Sequence, residues 1–411
     1  MSDASQAHNA GTGSQSVAVG DAVSLLDKAR RLAPLFRANA VANERGGLLT
    51  DEVVEALDAG GFFGIFVPKC LGGAELGPID SLDVIAEVTY ADASTGWVMF
   101  AAGVGTGTGA AYLDDRGIDQ IFSDGRIPVI AGQGIPNGKA EPEKNGYRLT
   151  GHWSYGSGVR HAAYIHTGAI VLENGAPRLD RQGNPEARIF VVPRELVAFD
   201  GNWDVLGLRG TASIDYSISD ALIPREFTHV SHATEPKRGG NFYRLGIIGI
   251  ATLGHTGYAI GVGRRVLDEL AIVGQTKTGV AGKLSESEHF HEGFANAEAK
   301  YRAARAFAHE AWKSIEESMA RGEPFSTRQL TLIRLALNHA TWTVADVCLF
   351  AYREAGGTSL RDSAIQRYFR DMYAGTQHIT SSVPVLRQCG RDLAGLAQGQ
   401  VWAFLGLVDP H

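Results

Sequence analysis

The sequence predicts a mostly helical α+β protein in three parts: an N-terminal helical domain, a central β-barrel-like domain and a C-terminal four-helix bundle. Three observations predict it. Apolar residues recur at helical spacing through the first part, as at Leu25, Leu26, Ala29, Leu32, Leu35 and Phe36. From about Arg126 to Val230 the pattern changes to short apolar or alternating runs separated by Gly, Pro, Asn and Asp, which is strand-and-turn composition. Long helical patterns return from about Asn241, and four in succession favour an antiparallel bundle.

Residues 1–16 are small and polar, with no basic or apolar leader, and read as a disordered tail. The helical domain is expected over 17–124. Within it Thr50, followed by Asp51 and Glu52, starts a helix that Gly60 and Gly61 end. Asp80–Asp92 and Thr95–Leu113 give two more helices. The central domain is expected over 125–235, with strands in IPVIAG, YRLTGHWSYG, AAYIHTGAIVL, ARIFVVP and ASIDYSISDALIP. The bundle is expected over 236–411, with helices in Gly254–Gln275, Ser287–Met319, Thr327–Glu354 and Ser363–Val383.

Composition is that of an ordinary globular protein: 411 residues, 44% apolar and 20% charged. The net charge of −7 is dispersed, which argues against nucleic acid or an anionic membrane as partner. Cys70, Cys348 and Cys389 lack metal-type spacing and read as buried free thiols of a reducing, cytoplasmic compartment. The apolar run Ile247–Gly263 is interrupted by Gly, Thr and His and reads as a buried helix rather than a membrane span.

Three segments in order carry a family resemblance. They are GYRLTGHWSYGSGVRHAAYI, then WDVLGLRGTASIDYSISDALIP, then the pair Gly356-Gly357 followed by Gln366, Arg367 and Arg370-Asp371. Together they resemble the acyl-CoA dehydrogenase superfamily across the chain after its tail. The WSYGSG form with His161 soon after, and Gln377-His378-Ile379 just beyond Arg370-Asp371, are more similar to the reduced-flavin-dependent, two-component monooxygenase branch.

A dehydrogenase of this family needs a carboxylate to take a proton from carbon. No Asp or Glu occurs from Met372 through Gln388, nor from Asn241 to Val266. The resemblance therefore implies an oxygenase component that hydroxylates a small aromatic or heteroaromatic compound. It would act through a flavin C4a-hydroperoxide, with O₂ as co-substrate, reduced flavin (FMN or FAD) delivered by a separate NAD(P)H:flavin reductase, and no metal. The alternatives are an acyl-CoA dehydrogenase or oxidase, or an N- or S-oxygenase of the same branch. The resemblance also implies a homotetramer.

The same resemblance assigns residues. His378 is the candidate base, since histidine titrates nearest to neutral pH, and Ser157 the hydroxyl beside the flavin. Trp153, Ser154, Tyr155, Ser157, Gly132, Gln133, Arg370, Gly356, Gly357 and Gln377 are implied as flavin neighbours, the Gly356-Gly357 turn meeting the flavin of a neighbouring subunit. Trp97, His161 and His255 are expected in the substrate pocket. On residue type alone the readings are plainer: His378 a surface or core histidine, Ser157 a turn residue, Arg370 and Asp371 a structural ion pair.

Three motifs mislead. GTGTGA at Gly105–Ala110 fits a loose dinucleotide fingerprint, but it follows a helix and serves close packing better. His289 and His291 diverge on a helix start and have no evident third ligand. The Gly132–Gly138 loop lacks the lysine of a phosphate-binding loop.

Overall fold

A computed structural model describes residues 24–180, 183–279 and 282–410 of the chain. The tail expected over 1–16 lies outside the described residues. Helix α1 (Leu25–Gly46) begins where the Ser24 hydroxyl accepts the Asp27 N–H at 3.1 Å and ends on Gly47 at φ 66°. Helix α2 (Asp51–Gly60) starts after Thr50 and stops at Gly61, where φ is 80°, as its sequence predicts. Helices α3 (Pro78–Ala91), α4 (Ala93–Tyr112) and α5 (Asp115–Ile121) complete the first part. Cys348 and Cys389 are buried free thiols, but Cys70 is exposed because it lies in the surface turn Lys69–Leu71.

Helix α4 is buried on every side, as suits an uncharged helix whose few polar groups are small hydroxyls. Its start is fixed by the buried Asp92 carboxylate, which accepts the Thr95 N–H at 3.0 Å, the Thr95 hydroxyl at 2.7 Å and the Asn43 amide at 3.1 Å. The glycines of GTGTGA lie inside this helix. A Cβ at Gly105 would stand 2.5 Å from the Ile130 carbonyl oxygen, and one at Gly107 would stand 2.6 Å from Phe66. They permit close packing and bind no dinucleotide.

The central part is one sheet: β1 (Ile130–Glu143), β2 (Gly146–Gly156), β3 (Tyr164–Glu173), β4 (Ala176–Pro177), β5 (Ala187–Pro193), β6 (Ala198–Phe199), β7 (Ile214–Pro224) and β8 (Thr228–Val230). Its order is β6-β7-β2-β1-β3-β5-β8, with β4 paired to β3. Strands β1 and β3 run parallel; the other neighbours are antiparallel. The β1–β3 register breaks between Gln133 and Gly138, so 134–137 lie off the ladder. Gly134 in that stretch lies against His166, Ile189 and, from the C-terminal part, Ile247.

The C-terminal part comprises α6 (Gly246–Thr276), the hairpin β9 (Thr278–Gly279) and β10 (Gly282–Lys283), α7 (Glu288–Arg321), α8 (Thr327–Ala355), α9 (Ala364–Gly375), α10 (Val383–Leu393) and the hairpin β11 (Val401–Ala403) and β12 (Gly406–Val408). Helix α6 and the turn before it are long and apolar enough to cross a membrane by composition. However, 83% of its most apolar 18-residue window is buried, and the helix packs chiefly against α3, α4 and α8.

The expected helix over Ser363–Val383 is in fact two helices with a break at 376–382. Pro384 supplies one reason, since it has no N–H to continue a helix and its ring clashes with the carbonyl four residues back, a cost of about 3 kcal/mol. Local hydroxyls supply the other. Thr376 Oγ1 donates to the Tyr373 carbonyl at 2.7 Å and Ser381 Oγ to the His378 carbonyl at 3.0 Å, which favours turns. His378 sits in this break.

Candidate active site

Helix α4, the first turns of α6, the break after α9 and the turn after β2 converge on one cleft, with aromatic rings forming its wall. The Trp97 ring meets Phe100 at 5.4 Å between centroids, His255 at 4.8 Å, Tyr258 at 4.9 Å and His378 at 6.1 Å. His255 and His378 stack on each other at 3.7 Å with planes 33° apart. The Trp97 indole N–H turns towards the sheet and donates to Ser157 Oγ at 2.9 Å.

Ser157 is one link in a run of hydroxyls. Its Oγ lies 2.7 Å from Ser213 Oγ, which lies 2.7 Å from Thr211 Oγ1, and Thr211 donates to the Leu208 carbonyl at 2.7 Å. Beside it, the Tyr216 hydroxyl accepts the Gln133 N–H at 3.0 Å, and Gln133 Oε1 accepts the Ile135 N–H at 3.2 Å. An apolar wall of rings thus meets a polar strip of hydroxyls that begins at Ser157. That combination fits a flat, heteroatom-edged ring such as flavin. Gly132, at φ 151°, keeps the strip narrow; a Cβ there would stand 2.1 Å from the His166 carbonyl oxygen.

His378 is half-buried, with its ring packed between His255 and Trp97. Its Nδ1 lies 2.8 Å from Thr380 Oγ1 and more loosely, at 3.4 Å, accepts the Thr380 N–H. For His378 to accept a proton at Nε2, Nδ1 must carry hydrogen and donate to Thr380 Oγ1, and the shorter contact permits this tautomer. Burial lowers its pKa to about 4. Burial also holds His255 well below the usual histidine value, with the His378 charge a smaller contributor. Both rings are neutral at pH 7.

Among the described residues no acidic side chain hydrogen-bonds or ion-pairs with Trp97, His255 or His378, whose partners are Ser157, Thr380 and aromatic rings. Two buried carboxylates stand nearby and both are engaged. Asp92 caps α4. Asp371 Oδ1 accepts the Leu208 N–H at 2.6 Å, while the Asp371 carbonyl accepts the Tyr258 hydroxyl at 2.7 Å. Burial lifts the Asp371 carboxyl to about 7, against the opposing effect of the Leu208 hydrogen bond.

The other expected residues are placed as follows. Trp153 is wholly buried, stacks on Tyr216 at 5.5 Å and donates to the Gly168 carbonyl at 2.8 Å, so it belongs to the core of the sheet rather than to a flavin surface. Arg370 does not pair with Asp371. It is tied to Glu44, to Gln366 Oε1 at 2.8 Å and to the Leu206 carbonyl at 3.0 Å, because its side chain leaves α9 on the side facing α1. Those groups line an open pocket of about 610 Å³ whose cations are already matched by Glu44, Asp204 and Asp362.

Tyr155, at φ 64° and 67% exposed, stands against Trp203, and Ser154 beside it is half-buried. Gln377 is exposed and donates to Thr376 Oγ1 at 3.0 Å. Gly356 and Gly357 form the turn after α8, next to Lys277, and touch none of the cleft rings. His161 lies in the turn after β2 with a buried, unpartnered Nε2. Sequence reasoning missed Thr211, Ser213, Tyr216 and Tyr258. The first two lie in GTAS of the second signature, and their small hydroxyls were the available signal.

The buried histidines set an acid limit. Burial lowers His161, His229 and His378 to about 4 and His166 to about 3. Protons that these rings refuse in the fold are taken up on unfolding below about pH 6.5. Their contribution to stability is therefore complete above that pH and declines as pH falls towards 4, by up to about 1.4 kcal/mol per pH unit for each ring. Asp371 opposes them, since its raised value favours the fold as pH drops below 7. Four rings outweigh one carboxyl. Denaturant unfolding should show stability falling from pH 7 to pH 5 with net proton uptake; a flat or rising profile would contradict these assignments.

Comparison with known proteins adds the following. A sequence model described as acyl-CoA dehydrogenase, N-terminal domain, matches 24–118, and one described as acyl-CoA dehydrogenase, C-terminal domain, matches 253–383. The chain is 29% identical over 348 residues to an indole-3-acetate monooxygenase of Pseudomonas putida, spanning 83% of this chain and 86% of that protein. It is 27% identical over 389 residues to the flavin-dependent monooxygenase oxygenase subunit HsaA of Mycobacterium tuberculosis, spanning 87% and 92%. The HsaA crystal structure superposes with a TM-score of 0.84 at 23% identity, covering 93% of this chain and 99% of that one. TdsC of Paenibacillus, solved with FMN and indole, superposes at 0.76 with 20% identity, covering 90% and 97%. The structural likenesses establish the fold.

Proposed function

The chain belongs to the acyl-CoA dehydrogenase family, and from that premise we propose that it is the oxygenase component of a two-component flavin-dependent monooxygenase acting on a small aromatic compound. One observation carries the reading: the cleft presents two neutral imidazoles, an indole and a serine hydroxyl, and no free carboxylate. Relatives named as monooxygenases and as oxygenase subunits support it.

Reduced flavin, when bound, reacts with O₂ and supplies the oxygen atom. The residues of the chain do the rest. Ser157, held by Trp97 and Ser213, would offer a hydroxyl to the flavin edge, and Gln133 and the 134–137 backbone would align its heteroatoms. Trp97, Phe100 and Tyr258 exclude water, which protects a reactive oxygen species from loss as peroxide. His378 takes the acidic proton of the substrate at Nε2 and so makes the aromatic ring electron-rich, with Thr380 fixing the tautomer. The reductase is a separate protein. A tetramer is part of the proposal, supported by exposed apolar residues on the outer bundle: Val383, Leu386, Leu396, Val401 and Phe404.

Dehydrogenation is the competing reading. Loaded with oxidised flavin and mixed with an acyl-CoA without oxygen, the protein should keep its flavin absorbance. Bleaching would establish proton and hydride removal from carbon and end the oxygenase proposal.

A further inference from the structure

His255 has an unusual status among the buried polar side chains. Only 7% of it is exposed, yet neither ring nitrogen hydrogen-bonds to any described residue. The atoms that are both fully enclosed and unpartnered include nitrogens of His161, His166 and His229, but none of His255. Its nitrogens therefore reach the cleft. Being open to the cleft and free of protein partners, they are available to hydrogen-bond a ligand that enters it.

Its surroundings define that ligand. Trp97 and Phe100 each pack edge-to-face against His255 at 4.8 Å, and Tyr258 closes the same wall. From the break after α9 come His378 and Thr380. Asp371, on α9 behind Tyr258, spends its carboxyl on the Leu208 N–H. No cation stands against the pair among the described residues, so nothing there would receive a carboxylate. The stack leaves the edges of both rings free. His378 Nδ1 is engaged by Thr380, which leaves one nitrogen on that ring, whereas His255 has two.

We propose that His255 contacts the substrate directly, and that the His255–His378 stack is a two-imidazole site for the O–H or N–H of a neutral aromatic weak acid, a phenol or an azole. The inference rests on the oxygenase reading for its place in turnover, but not for its binding chemistry. One ring accepts the proton: the O–H or N–H bond breaks, an N–H bond forms on the imidazole and the electron pair stays on the substrate. The other ring hydrogen-bonds to the heteroatom left behind. Two stacked imidazoles cannot both become cations in a buried site, so the pair takes up one proton.

The test uses phenol and its methyl ether, anisole, which lacks the acidic proton, titrated calorimetrically into the full chain without flavin. The wild-type protein should bind phenol roughly five- to tenfold more tightly than anisole, the worth of a hydrogen bond. His255→Phe keeps an aromatic plate against Trp97 and removes both nitrogens, so this preference should shrink to about twofold or less, the scale of a difference not carried by a hydrogen bond. His255→Gln can hydrogen-bond but cannot take a proton. It should keep most of the binding preference while changing the acid limb of the pH profile for hydroxylation, and it answers the question if the Phe variant fails to fold. An undiminished phenol preference in His255→Phe, or none in the wild type, overturns the proposal. If phenol is preferred and the preference depends on His255, but reduced flavin yields no hydroxylated product, the oxygenase reading fails and the binding site stands.

Discussion

His378→Ala should cut hydroxylation by about 100-fold while the protein, given reduced flavin, continues to consume O₂ and releases hydrogen peroxide. The change leaves the Trp97–Ser157 contact and the sheet side of the cleft intact, so oxygen activation does not depend on it directly. What disappears is the acceptor for the substrate proton. Loss of a positioned general base costs roughly 10²–10⁴-fold, and the stacked His255 is placed to take over part of the work, which puts the expected loss at the lower end. The pH profile adds a second readout. Burial holds His378 at about 4, so the wild type should keep hydroxylating below pH 6 and fail near 4 to 5 as the ring protonates. Product divided by O₂ consumed, followed from pH 4.5 to 8, checks both statements. Normal product yield in His378→Ala would remove the base from the account.

Ser157→Ala should have the next largest effect, of the opposite kind: substrate binding persists, but the yield of oxygen transfer collapses. Ser157 Oγ receives the Trp97 indole N–H and connects to Ser213 and Thr211. Deleting it leaves a buried indole N–H without its acceptor, at about 1–3 kcal/mol, and removes the hydroxyl offered to the flavin edge. Removing one preorganised polar contact of this kind costs on the order of 10²-fold in rate. Ser213→Ala, one bond further out, should cost less. Stopped-flow spectra of the reduced, flavin-loaded protein mixed with O₂ separate the two positions. If Ser157→Ala and Ser213→Ala match the wild type in product yield, the hydroxyl run is structural.

How much of this was legible in the sequence depends on how far each signal reaches along the chain. Helix α2 is written in neighbouring residues, Thr50 before it and Gly60-Gly61 at its end, and it forms where expected. The strands of the central sheet follow from alternation and turn residues, and the missing carboxylate is visible as a stretch without Asp or Glu. Longer-range chemistry was harder to see. Arg370 precedes Asp371 and invites a local ion pair, yet Glu44, from α1, lies closer to its guanidinium in space. Trp153 occupies a signature strand, but strand alternation does not say which face is core; its bond to Gly168 on β3 decides that. The break at 376–382 was readable in Pro384, though the apolar pattern on both sides hid it. The stack of His255 on His378 joins residues more than a hundred positions apart, and only packing brings them together.

The most direct test of the central claim is turnover with isotopically labelled O₂. The flavin-loaded protein, reduced by an external reductase and given phenol or indole, should place one labelled oxygen atom in the hydroxylated product, with the remaining label in water. Product carrying no label, or flavin bleached by an acyl-CoA under anaerobic conditions, would contradict the account.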